Sequence, residues 1–175
     1  QIQDQQCWLS AERAIYWENQ STLILSDTHF GKTGHFRKNG IGVPQAVFHE
    51  DMQRMIDLLS FFKPAKVLVV GDLFHSAANL ELDFFAKWRS DFTQLEMVLV
   101  KGNHDILPEQ WYQAHQIKVE YGTYQLGPFQ FAHEPMDTSA SHEIGFLFSG
   151  HLHPGISLSG MGKQNLHFPC FYFSK

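Results

Sequence analysis

Five short apolar runs in this chain each end in residues that turn sharply and carry metal-binding side chains. Leu23-Ile24-Leu25-Ser26 leads into Asp27-Thr28-His29, and Val67-Leu68-Val69-Val70 leads into Gly71-Asp72. Met97-Val98-Leu99-Val100-Lys101 leads into Gly102-Asn103-His104-Asp105. Phe129-Gln130-Phe131-Ala132 leads into His133, and Phe146-Leu147-Phe148-Ser149 into Gly150-His151-Leu152-His153. Short runs this apolar and this rich in β-branched residues read as buried strands. The carboxyl end of a strand is where α/β sheets place their chemistry. Five strands that deliver nitrogen and oxygen donors at the same end predict one shared metal site.

The stretches between these runs predict how the strands connect. Phe48, Met52, Met55, Ile56, Leu59 and Phe62 recur at helical spacing, with Pro44 suited to the first turn and Pro64 to the stop. A second amphipathic helix spans roughly 82–95, with Phe85, Trp88, Phe92 and Leu95 on one side, and a third starts near Pro108. The order β-α-β-α-β implies parallel strands with right-handed crossovers. From Ile117 onward Ile117, Val119 and Tyr121 alternate. The second half is therefore mostly β, as a second sheet or an antiparallel extension. Residues 1–20 read as an edge hairpin or an opening strand, and 30–43 and 134–143 as loops. With 175 residues, 43% of them hydrophobic, the chain has material for one substantial core, so a single domain over 1–175 is expected.

The donors suit a transition-metal site. Asp27-x-His29 and His151-x-His153 share an i, i+2 spacing, which in extended backbone sends both side chains to one side. Asp72 follows a glycine that lets the backbone turn closely, and Asn103 offers an amide oxygen. Carboxylate, imidazole and amide without thiolate fit Mn, Fe, Zn or Ni rather than a purely Mg or Ca site. Asp27, His29, Asp72, Asn103, His133, His151 and His153 are too many for one ion. They suit two ions sharing a carboxylate. Each motif alone has a plainer reading, since Asp-x-His is more often a helix cap or turn, and Asn and Asp are ordinary turn formers. All five occurring in order, each at a strand end, favours the metal reading.

His104 neighbours Asn103 and is expected to point away from the ions, where it is placed to protonate a leaving group. Asp105 either orients His104 or caps the helix that follows. His75, three residues after Asp72, is within reach of the pocket, although surface or loop is its plainer reading. Lys32, Arg37 and Lys38 follow the first ligand pair in a glycine-rich loop. They are either solvated loop charge or phosphate contacts at the pocket mouth. His35, His49, His115, His142 and His167 offer no convincing ligand.

A net charge of -5 argues against a protein that coats nucleic acid by charge alone. Two isolated cysteines, Cys7 and Cys170, exclude a disulfide framework and a thiolate site and fit a reducing cytoplasm. No run approaches the roughly 18 apolar residues of a membrane span, and no charged-then-apolar leader is read ahead of the first strand, so export is not expected.

Asp27-Thr-His29, Gly71-Asp72, Gly102-Asn-His-Asp105, His133 and Gly150-His-Leu-His153 together resemble the motif set of the calcineurin-like metallophosphoesterases, over about residues 21–155. The resemblance implies two mixed β-sheets flanked by helices, with a dinuclear centre at one edge. It implies that one ion takes Asp27, His29, Asp72 and His153. The other takes Asp72, Asn103, His133 and His151, with Asp72 bridging and His104 as general acid. Ser26-Asp-Thr-His-Phe-Gly-Lys32, Gly71-Asp-Leu-Phe-His-Ser76, Gly127-Pro-Phe, His133-Glu-Pro135 and Pro169-Cys-Phe171 are similar to the small PdeM-like group named as DNA damage response endonucleases. That narrower likeness implies a DNA substrate and association with a DNA ligase and a helicase. It also implies a C-terminal segment beyond Pro-Cys-Phe. The expected enzyme is a Mn²⁺-dependent phosphodiesterase using a metal-bridging hydroxide. A small-nucleotide or cyclic-nucleotide phosphodiesterase is the alternative favoured by the acidic composition. A non-catalytic metal-binding scaffold is a further one, disfavoured because a scaffold needs no acid at His104.

Overall fold

The computed structural model describes residues 1–32, 46–75, 80–136 and 145–174. The expected start of the first helix at Pro44, most of the 30–43 and 134–143 loops, Arg37 and Lys38 lie outside these residues. Six strands form the larger sheet: β1 (Cys7–Ser10), β2 (Ala14–Trp17), β3 (Thr22–Leu25), β4 (Lys66–Val70), β5 (Glu96–Val100) and β6 (Ile117–Glu120), in that spatial order. The β1–β2 hairpin joins β3 antiparallel, and β3 to β6 are parallel. Helices α1 (Ala46–Phe62), α2 (Leu80–Asp91) and α3 (Glu109–Ala114) make the crossovers.

Sequence patterning sets the layers. Leu23, Leu25, Val67, Val69, Met97, Leu99 and Ile117 share one buried cluster with Met52, Met55, Leu58 and Leu59 of α1, Leu82, Phe85 and Trp88 of α2, and Tyr112 of α3. The alternate residues Ile24, Leu68, Val70, Val98 and Val100 face Phe129, Phe131 and Phe148. Those three belong to a smaller sheet of β7 (Thr123–Leu126), β8 (Phe129–Ala132) and β9 (Phe146–Ser149). Strands buried on both faces must be apolar throughout, which explains the unbroken runs. The result is a mixed-sheet α/β fold, with the described helices on the outer face of the larger sheet. A hairpin of β10 (Gly155–Ser159) and β11 (Asn165–Pro169) closes the described chain.

Two expectations are corrected. The segment from Ile117 begins with β6, which extends the first sheet in parallel, because α3 provides a short crossover. The second helix ends at Asp91 rather than near Leu95. The buried Arg89 guanidinium donates to the carbonyl oxygens of Phe92, Leu95 and Gln116, so the chain turns there and Phe92 is left partly exposed. Helix α1 stops as expected: Lys63 adopts φ 48°, its N–H closes on Leu59 O at 2.9 Å, and Pro64 follows.

Candidate metal centre

The carboxyl ends of β3 and β4 continue side by side past the sheet. Asp27 N–H donates to Gly71 O (3.1 Å), His29 N–H to Asp72 O (2.9 Å), and Phe30 N–H to Leu73 O (2.9 Å). The Thr28 hydroxyl adds a bond to Leu73 O at 3.1 Å. This zipper holds residues that would otherwise relax. Asp27, His29, Asp72, His151 and His153 have φ of 52°, 49°, 54°, 66° and 45°. These are left-handed conformations that cost a non-glycine residue energy and cluster at functional sites. The donors are therefore aimed by single left-handed residues, not by the side-to-side alternation of extended backbone expected from their i, i+2 spacing.

Two motif glycines make room for these side chains. A Cβ on Gly102 would overlap Asp72 Oδ1 and its backbone N, and one on Gly150 would overlap Ser26 Oγ and Asp27 Oδ2. Neither glycine has positive φ. Each is required for close approach rather than for backbone freedom.

The donor atoms converge. His29 Nε2 lies 3.4 Å from His153 Nε2, which is 3.4 Å from Asp27 Oδ1. His133 Nε2 lies 3.0 Å from Asn103 Oδ1, 3.3 Å from His151 Nδ1 and 3.4 Å from Asp72 Oδ1. Asp72 Oδ2 faces the other group, 3.9 Å from His29 Nε2. One carboxylate thus presents a separate oxygen to each half of the cluster. Asp27, His29 and His153 have ligand atoms within 4.8 Å of one another, as do Asp27, Asp72 and His133, so Asp27 reaches both halves. Lone pairs of hard and borderline donors directed at common space are an arrangement that fits divalent cations. All seven sequence-identified donors are brought together.

The surroundings tune these groups. His133 Nδ1 is 3.2 Å from Val70 O, so a proton there fixes the tautomer that turns Nε2 toward the cluster. Burial opposes ionisation of Asp72. The His133 hydrogen bond and the His104 N–H, 2.9 Å from Oδ1, outweigh it and hold the carboxyl at about 2. Burial likewise opposes a charge on His133, but Asp72 and Val70 O raise it to about 8. His29 falls to about 4, chiefly by burial, with the Lys32 ammonium contributing.

His104 stays outside the donor groups, its ring centroid 5.5 Å from His29 and 4.4 Å from His75. His75 also packs edge-on against His29 at 5.2 Å, so it belongs to the pocket wall rather than to a surface loop. Asp105 neither caps α3, whose N-cap is Pro108, nor bonds the His104 ring. Fully buried, it accepts the N–H groups of Asp72 (2.8 Å), Gly102 (2.9 Å) and Phe74 (3.0 Å). Burial pushes its pKa up to about 6. Ser26 was not identified from sequence. Its hydroxyl lies against Asp27 Oδ2 and 2.9 Å from Val70 O, while His151 N–H donates to the Asp27 carboxylate from the other side at 3.1 and 3.2 Å. The only signal was a hydroxyl directly preceding a ligand.

The family model described as calcineurin-like phosphoesterase matches residues 21–169, a span that contains all seven donors. Among solved structures, the crystal structure of Pseudomonas putida nuclease MPE is similar, with a TM-score of 0.78 and 28% sequence identity. The likeness covers 98% of this chain and 78% of that one. A comparison with curated proteins finds no match.

Proposed function

The chain belongs to the calcineurin-like phosphoesterase family and is a metal-dependent phosphoesterase; on that premise we propose that it is a two-metal phosphodiesterase that cuts DNA. The observation that carries the two-metal reading is Asp72, with Oδ1 toward His133 and Oδ2 toward His29. In this reading Asp27, His29, Asp72 and His153 hold one cation, and Asp72, Asn103, His133 and His151 the other. The nucleic-acid substrate is supported by the likeness to a nuclease across nearly the whole chain.

Divalent cations bound there, Mn²⁺ foremost, would neutralise phosphoryl oxygens and acidify an attacking water. The chain's own groups do the rest. His104 acts as general acid, giving its proton to the departing oxygen of an in-line displacement. Its main chain is anchored on Asp72 and its ring is seated against His75. Asp105 fixes the Asp72 and Gly102 backbones from beneath, and Ser26 orients Asp27. Lys32, with Arg37 and Lys38, holds phosphates flanking the scissile one.

Two cysteines without a disulfide support work in the reducing cytoplasm. Among the described residues no helix is long and apolar enough to cross a membrane. A role in DNA repair, alongside a DNA ligase and a helicase, completes this reading.

The test is turnover of bis-p-nitrophenyl phosphate and of a labelled oligonucleotide across a metal panel, with metal analysis. Chelation abolishes both activities, Mn²⁺ restores them best, and two ions per chain accompany full activity. A fully active enzyme with one ion overturns the two-metal assignment. Hydrolysis of the small diester without oligonucleotide cleavage overturns the nuclease assignment in favour of a small-nucleotide substrate.

A further inference from the structure

The hairpin of β10 and β11 has one apolar face and one polar face. In its antiparallel register Ile156 stands opposite Phe168 and Leu158 opposite Leu166, so these two rungs share a face. Ser157, opposite His167, and Ser159, opposite Asn165, point the other way. The polar face is settled within the hairpin. The Ser157 hydroxyl and His167 Nδ1 are 3.0 Å apart, and Gly155 admits the His167 ring, which a Cβ there would overlap. Both ends are closed as well, by Cys170 N–H to Pro154 O at 3.0 Å and Gly160 N–H to Gln164 O at 2.9 Å.

The apolar face is uncovered. Ile156, Leu158, Leu166 and Phe168 are 50%, 54%, 60% and 45% exposed. Among the described residues no third strand pairs with the hairpin, and neither buried cluster includes any part of it. Alternation that gathers the large apolar residues of two strands onto one face is the pattern of a half-buried sheet. A two-stranded hairpin alone in water is only marginally stable. The four side chains leave roughly 400 Å² of apolar surface, a size that marks an interaction site. Met161 at the tip and Phe173 beyond the base, both exposed, bring the apolar surface toward the ~800 Å² per partner of a standard interface.

Charge decides what fits this face. Neither β10 nor β11 contains Asp, Glu, Lys or Arg, in a chain that is 18% charged. A charged peptide or a nucleic acid finds nothing there to pair with. Two copies of a protein of net charge -5 repel each other, and they meet most readily where neither presents charge. We propose that the β10–β11 hairpin is the contact between two copies of this chain, paired through their apolar faces into a four-stranded sandwich. A two-fold axis between the faces sets the Ile156–Phe168 rung of each copy on the Leu158–Leu166 rung of the other, the isologous arrangement of a closed dimer. The pairing does not depend on which diester the enzyme cuts.

The experiment measures the mass of the Mn²⁺-loaded full-length chain by sedimentation velocity, with Leu158→Glu and Leu166→Glu beside wild type. An apolar contact of this size predicts a reversible dimer with Kd on the order of 10 μM, so the range runs from about 1 to 500 μM. Each substitution buries an unpaired carboxylate at the contact and raises Kd by at least about 100-fold, which leaves both variants monomeric. Both leucines are more than half exposed in the single chain, so the variants keep the circular dichroism of wild type. A wild-type chain that stays monomeric throughout overturns the proposal and leaves the face to a different protein. A dimer that persists in either variant places the contact elsewhere and overturns it too. Loss of the dichroism in the variants at about 1 μM, where wild type is a folded monomer, shows the face to be covered within its own chain and equally overturns the proposal.

Discussion

The Asp105 carboxylate receives the Asp72 backbone N–H at 2.8 Å, so a fully buried acid holds from beneath the residue that faces both halves of the metal cluster. The same carboxylate takes the N–H groups of Gly102 and Phe74, tying the turns after β4 and β5 together. Asp105→Ala leaves three backbone donors without their acceptor, and each such buried group costs about 1–3 kcal/mol. The expected result is a loss of at least about 3 kcal/mol, seen as a fall in Tm of roughly 6–12 °C for a chain of this size. Metal affinity falls with it. Asp105→Asn, which retains one oxygen acceptor, is milder on both counts. A thermal melt of Asp105→Ala that matches wild type refutes the anchoring role.

Removing His104 separates chemistry from metal binding. Because its side chain stands outside the donor groups, His104→Ala keeps near-normal metal content. It slows a diester with a poor leaving group by about 10²–10⁴-fold, the usual reach of general acid catalysis. A nitrophenolate leaves with little help and suffers less. Asp72→Asn instead lowers metal content and abolishes turnover of both. Equal losses on the two diesters in His104→Ala, or departure of its metals, rule out the acid role.

That these seven side chains share one edge was legible in the sequence because each sits at the end of an apolar run, and a strand followed by a polar turn is a local pattern. What aims them is not local. Left-handed φ at Asp27, His29, Asp72, His151 and His153 is sustained by bonds between turns, for example Asp27 N–H to Gly71 O across 44 residues of chain. Spacing alone suggested extended alternation. Asp105 was legible as a polar turn residue, but its partners are backbone groups, two of them more than 30 residues away, which carry no side-chain signal. His75 looked like a surface residue because nothing in sequence announces that its ring meets His104. The parallel pairing of β6 was equally hidden, since alternation in Ile117–Glu120 is the same for either strand direction.

Gly150 tests how tightly the second sheet is set against the first. A Cβ there would meet Ser26 Oγ and Asp27 Oδ2, and would sit 2.9 Å from Val70 O. Backbone and a metal donor cannot both yield, so Gly150→Ala pushes the His151–His153 turn away from Asp27. Overpacking of this kind costs about 1–3 kcal/mol. The expected outcome is a folded protein with reduced metal content and activity, read by metal analysis beside circular dichroism. Wild-type metal loading in Gly150→Ala contradicts the packing argument.

The last prediction concerns protons and metal at the Asp72–His133 pair. Without metal, His133 is raised from 6.5 to about 8 and Asp72 lowered from 3.8 to about 2, so a proton on His133 occupies the place of a cation. The His133 shift stabilises the folded metal-free protein fully below pH 6.5, and this stabilisation is lost as pH rises through about 8. The Asp72 shift stabilises it above pH 3.8, and this is lost as pH falls through about 2. The pair therefore supports the metal-free protein best between about pH 4 and 6.5. A histidine ligand must be neutral, so metal uptake near pH 7 expels the His133 proton, whereas well above pH 8 there is none to expel. His29, already neutral at pH 7, contributes none. Titration calorimetry of Mn²⁺ into the metal-free protein, in buffers of different ionisation enthalpy, should find close to one more proton released at pH 7 than at pH 9. Identical release at the two pH values shows that His133 does not hold the proton.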